Sequence, residues 1–102
     1  MSGQAYKLWG KKVIKCGKDE QWYRAFSQDV DRHVGDTTIG DVRVSTVFLV
    51  IDHQWGSGPP LLFETMVFGG EYDQDQERYS TWKQAEKGHR AMCKKVFGKE
   101  VE

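Results

Sequence analysis

The chain has two cysteines, two prolines and no long apolar run in 102 residues. No stretch approaches the roughly 20 apolar residues that a membrane-spanning helix needs, so no span is expected. Cys16 and Cys93 are too few for a disulfide framework and lack metal-ligand spacing. Met1–Gly10 has no apolar signal core, so a cytosolic protein with reduced thiols is expected. The formal net charge is zero, which removes any global field toward nucleic acid. No H-E-x-x-H, C-x-x-C, G-x-S-x-G or phosphate-loop pattern occurs. The residues thus give no motif support for an enzyme, and no cofactor or metal is expected.

What is present is a run of large rings: four Trp, four Tyr and five Phe. Each buries much area, enough to build one modest core in a single domain over 1–102. Charge is unevenly spread. Residues 1–18 carry five lysines and no acid, residues 19–77 carry twelve acids against three arginines, and residues 78–99 carry seven basic residues with only Glu86 opposing them.

Hydrophobic periodicity sorts the elements. Tyr6–Trp9 and Lys12–Cys16 read as short strands around Gly10-Lys11. Trp22, Phe26 and Val30 recur every four residues, which predicts a helix over Asp19–His33, capped by Asp19 and stopped by Gly35. Thr37–Ile39 and Val42–Thr46 flank Gly40-Asp41, a hairpin signal. The second of these strands is expected to run on to about Ile51 or His53. Gln54–Pro60 then makes a loop, because Gly56, Gly58, Pro59 and Pro60 cannot continue a ladder. Leu61–Phe68 returns. A second helix is predicted over Thr81–Phe97, with Thr81 and Gln84 as a capping box and Gly98 beyond its end. Its apolar stripe is Trp82, Ala85, His89, Met92, Cys93 and Val96, and Cys93 there reads as core. The expected fold is α+β: an antiparallel β-meander with two helices packed on one face and an extra N-terminal hairpin.

Within the most apolar part of the chain, Val44–Phe68, stand Asp52, His53 and Glu64. Buried carboxylates and imidazoles are costly unless paired. Pairing Val50 with Glu64 brings Asp52 and Glu64 to one face, and a slip of one residue brings Glu64 beside His53 instead. His89 lies mid-stripe and points at the sheet. Asp52, His53, Glu64 and His89 therefore form a candidate polar site, able to bind a metal or ligand or do acid–base chemistry. The same four residues are equally what a satisfied structural network looks like.

Trp55 in the Gly/Pro loop and Tyr72 beside the acidic segment Glu71–Glu77 are candidate partner anchors, with Asp73, Asp75 and Glu77 as acidic contacts for a basic partner. The alternation of those three acids is reminiscent of a calcium loop, but the glycine and distal glutamate of an EF-hand are missing. A homodimer through the free face or edge of the sheet is a further candidate association.

The run VSTVFLVIDHQWGSGPPLLFETMVFGG, followed by RYSTWKQAEKGH, resembles a family of small uncharacterised proteins of tailed phages and prophages. The likeness covers roughly Val44–Gly70 and Arg78–His89 and includes Asp52, His53, Glu64 and His89. It implies a phage-encoded accessory protein acting in the host cytoplasm. With the small size, acidic middle and absent catalytic motif, the expected role is binding a host protein, as an inhibitor of a host defence system of anti-CRISPR-like or other anti-defence type. A second resemblance is to the element order of a double-stranded-RNA-binding domain, helix, three strands, helix. That order implies nucleic-acid binding through Lys83, Lys87, Arg90, Lys94 and Lys95. The basic start of the second helix that such domains carry is reduced here to Lys83, so nucleic acid is not the expected partner.

Overall fold

The computed structural model describes residues 6–16, 33–50 and 58–98. Strands β1 (Tyr6–Trp9) and β2 (Lys12–Lys15) form a two-stranded antiparallel sheet. Strands β3 (His33–Ile39), β4 (Val42–Phe48), β5 (Phe63–Phe68) and β6 (Gln76–Tyr79) form a four-stranded antiparallel sheet in the order β3-β4-β5-β6. Helix α1 (Trp82–Phe97) closes the described chain.

This corrects the expectation of two helices on a three-stranded meander. Among the described residues there are six strands in two antiparallel sheets and one helix. The helix predicted over Asp19–His33 lies outside the described residues except for its last position, and that one, His33, opens β3. β6 has no apolar alternation to announce it, because Gln76, Glu77 and Arg78 are all exposed on an edge strand. β4 ends at Phe48 instead of reaching His53. Leu49 still donates to the Leu62 carbonyl at 2.7 Å, but Val50 turns left-handed at φ 72°, a costly setting for a β-branched residue, and leaves the ladder. Buried Val50 keeps one tie, accepting a backbone bond from Tyr6 at 2.7 Å that joins the hairpin to the larger sheet.

The expectations for α1 hold in detail. Thr81 accepts from the Gln84 amide and the Gln84 side chain accepts from the Thr81 amide, satisfying two of the donors a helix start leaves open. Gly98 at φ 72° closes the other end by donating to the Lys94 carbonyl. Ala85, His89, Met92 and Cys93 are the buried face.

Register decides what that face meets. Thr46 pairs with Thr65, Phe48 with Phe63 and Val44 with Val67. These residues are all buried and point toward α1. One core cluster gathers Phe48, Val50, Leu62, Phe63 and Ala85 with Cys16, and the inner face of the hairpin (Tyr6, Leu8, Val13) packs on it. Trp82 meets Phe63 edge-on at 6.2 Å between ring centres. A second cluster joins Val44, Val67, Met92 and Cys93. Both cysteines are buried free thiols.

Candidate functional site

The alternation that buries Val44, Thr46 and Phe48 also lines up one polar side chain per strand beneath α1. Thr37 of β3, Thr46 of β4, Thr65 of β5 and Tyr79 of β6 all face the helix. His89 joins them. Its Nδ1 lies 2.7 Å from Thr46 Oγ1 and its Nε2 3.0 Å from Thr37 Oγ1. Thr46 Oγ1 in turn lies 2.5 Å from Thr65 Oγ1. The Tyr79 hydroxyl lies near Thr65, and the Cys93 thiol near Thr37. The result is one chain of hydrogen bonds, Thr37–His89–Thr46–Thr65, that crosses β3, β4 and β5.

Two glycines make the room for it. A Cβ at Gly35 would stand 2.7 Å from the His89 ring, and one at Gly88 would fall on the Tyr79 phenol. Val34 bulges from β3 beside Gly35, where the register against β4 shifts.

Burial sets the protonation states. It lowers the pKa of His89, with Arg90 adding to the effect and Asp36 opposing it, so the imidazole is neutral near pH 7. Burial raises the Tyr79 hydroxyl and the Cys93 thiol, each partly offset by its threonine. Cys93 is accordingly a protonated, inert thiol. A neutral imidazole has one donor and one acceptor nitrogen, and both are engaged by threonines. A cleft of about 360 Å³, lined by Val34, Gly35, Asp36, Glu86, His89 and Arg90, reaches the ring. With both ring nitrogens held by threonines, His89 ties β3 to β4 beneath the helix.

Glu64 is on the other side of the sheet. Of the two registers left open, the pairing of Val50 with Glu64 does not form: Glu64 pairs with Val47, an odd displacement that puts it on the opposite face. There it accepts from Arg78 Nε at 3.0 Å across the β5–β6 pair. The structure thus separates Glu64 from His89 by the thickness of the sheet. Asp52 and His53 lie outside the described residues, as does Trp55. Among the described residues no three His, Cys, Asp or Glu side chains form a group suited to hold a metal ion.

The acidic segment proves to be turn chemistry. Asp73 Oδ1 accepts from the Gly69 amide at 2.7 Å. Asp75 accepts from Lys95 Nζ at 2.7 Å and its backbone carbonyl from Val67 at 3.0 Å. Tyr72 is half-buried against the cluster of Val44, Val67, Met92 and Cys93, with Lys95 4.9 Å from its ring centre. Glu77 is exposed on β6. Asp73, Asp75 and Tyr72 therefore close the β5–β6 connection, and the charge of Glu77 acts on Lys95 and Tyr79.

The surface offers other features that the sequence reading passed over. Trp9 is 74% exposed at the hairpin tip, and Phe68 is 46% exposed on the outer sheet face with the Arg43 guanidinium 5.9 Å from its ring centre. Arg43 also grips Asp36 with two bonds of 2.8 Å, which holds the Asp36 carboxyl below its usual range. The signal for Phe68 was the alternation Glu64, Met66, Phe68, which competes with Phe63, Thr65, Val67 for the inward face. Along α1, Lys83, Lys87, Arg90 and Lys94 recur at steps of four, three and four and are all exposed. Lys95, grouped with them by sequence, turns to Asp75. The order helix, three strands, helix is replaced by a four-stranded sheet and a separate hairpin, so the likeness to a double-stranded-RNA-binding domain fails at the level of topology. No described helix is long and apolar enough to cross a membrane. No protein-family model matches the chain, and no curated protein and no solved structure matches it either.

Proposed function

We propose that this chain is a small binding protein that works by occupying a host protein. In the reading that its phage-like motif supports, it is a phage-encoded accessory factor in the host cytoplasm that inhibits a defence system. The observation that carries the binding role is the outer sheet face. Phe68 is 46% exposed there beneath Arg43, next to Met66. Exposed aromatic and arginine side chains are the usual anchors of protein interfaces, whereas the polar groups on the inner face are engaged with one another.

The test is reconstitution. Tagged protein retrieves a host protein from nuclease-treated lysate, the two purified components form a stoichiometric complex, and Phe68→Ala abolishes it while Glu64→Gln does not. Cells with an intact defence system then tolerate phage when the wild type is expressed and not the Phe68 variant. Equal complex formation by the Phe68 variant would sink the assignment of this face. Self-association of the pure protein that Phe68→Ala removes would reassign the face to a second copy of the chain.

A further inference from the structure

The β1–β2 hairpin carries a surface unrelated to the sheet face. Its inner side, Tyr6, Leu8 and Val13, packs on the core, and Tyr6 is tied to Val50. The ribbon is therefore held rigidly. Trp9 pairs with Lys12 and Lys7 with Ile14, so these four share the outer side. Gly10 and Lys11 make the tip, with Gly10 at φ 65°. A full tryptophan ring, 74% exposed, is costly to leave in water unless something covers it. Lys11 and Lys12 are exposed beside it, and residues 6–16 contain no acid. Gly10 leaves the space next to the ring open: a Cβ built there meets nothing within 4 Å.

We propose that this hairpin tip binds single-stranded nucleic acid, Trp9 stacking on a base while Lys11 and Lys12 contact the flanking phosphates. A flat, unobstructed ring between cations matches a strand whose every residue offers a π-face and a negative charge. A lipid surface fits less well, because the outer side carries one large exposed ring and a half-buried Ile14 rather than a broad apolar wedge. An acidic protein would engage the lysines and leave the ring without a partner. The inference does not depend on the sheet-face reading, and each stands if the other fails.

The probe is a labelled oligothymidylate about 12 nucleotides long, titrated by fluorescence anisotropy in about 50 to 200 mM salt. The wild type binds. Trp9→Ala weakens binding roughly 5- to 150-fold, and Trp9→Phe keeps most of it. Lys11→Ala/Lys12→Ala flattens the slope of log affinity against log salt by about 1.4, two phosphate contacts fewer. Trp9 is outside the core, so these variants fold, which amide exchange of β4 and β5 checks. No binding at the lowest salt overturns the proposal, as does a Trp9→Ala variant that binds like wild type. Loss of binding only in Lys87→Ala/Arg90→Ala would move the polyanion site to α1 and overturn it too. Trp9-dependent binding to phosphatidylserine vesicles without oligonucleotide binding would assign the tip to lipid instead.

Discussion

The two faces of the four-stranded sheet draw on the same strands, yet they use polar groups in opposite ways. On the inner face Thr37, Thr46, Thr65 and His89 are buried and bonded to one another. On the outer face Asp36 with Arg43 and Glu64 with Arg78 form pairs open to solvent, their side chains 15% to 44% exposed. A hydrogen bond adds only about 1 kcal/mol net, but a buried group left without a partner costs about 1–3 kcal/mol. The inner network is therefore stabilising chiefly because it is complete. The outer pairs sit in high dielectric, where water replaces whatever is removed. Neutral hydroxyls and an imidazole occupy the face under the helix, and full charges are kept to the face open to water.

The sharpest way to break the contrast is Thr46→Val. The shape is nearly kept, but His89 Nδ1 and Thr65 Oγ1 each lose the Thr46 hydroxyl. The expected cost is about 2–4 kcal/mol, measured as a fall in the urea midpoint at unchanged slope. The same change on the outer face, at exposed Thr38, is expected to shift the midpoint little. Equal effects at the two sites would show that the inner chain is not a closed network.

Why that network was only half legible is visible in single residues. His89 announced itself, because a histidine in an apolar helical stripe must find partners. The caps of α1 and the hairpins at Gly10-Lys11 and Gly40-Asp41 were legible for the same kind of reason: local chemistry there permits few alternatives. The register was not. Leu62, Glu64, Met66 and Phe68 compete with Phe63, Thr65 and Val67 as inward faces, and only packing against α1 selects the second set. With the register open, a carboxylate partner for His89 stays available in the sequence, and the real partners, threonines, look like ordinary strand formers. β6 was missed because an edge strand of Gln76-Glu77-Arg78-Tyr79 draws its order from pairing with β5 and not from its own pattern. The end of β4 at left-handed Val50 is likewise a tertiary effect that no local propensity predicts.

Acid tests the inner face alone. His89 has a lowered pKa in the folded protein and an ordinary one, about 6.5, when unfolded. Between those values the unfolded chain binds the extra proton, so stability must fall as the pH drops below about 6.5 and level off beneath the folded value. The limiting slope is about 1.4 kcal/mol per pH unit. Asp36 does not confuse the window. Its folded pKa is lowered by Arg43, so its contribution is lost only below the ordinary carboxylate range. Urea midpoints at about pH 7.5 and about pH 5 measure the effect, and a His89→Asn variant, weaker throughout, is expected to lose the slope. A wild type whose stability is flat over that interval would mean that His89 is not held neutral.

The smallest effect belongs to Glu64→Gln, and its smallness carries the argument. Were Glu64 part of a buried site with His89, neutralising it would perturb the imidazole and the acid slope together. On the outer face it loses only a partly exposed cross-strand ion pair with Arg78, 3.0 Å long, between side chains 15% and 34% exposed. Such pairs contribute about 0.2–1 kcal/mol, and less as salt rises. The expected variant is slightly destabilised at low salt, close to wild type at high salt, and keeps the full His89-dependent acid slope. The sheet between them insulates the two residues, so a double variant, Glu64→Gln with Thr46→Val, is expected to be additive within about 0.5 kcal/mol. A larger coupling would mean that the two faces share one network after all.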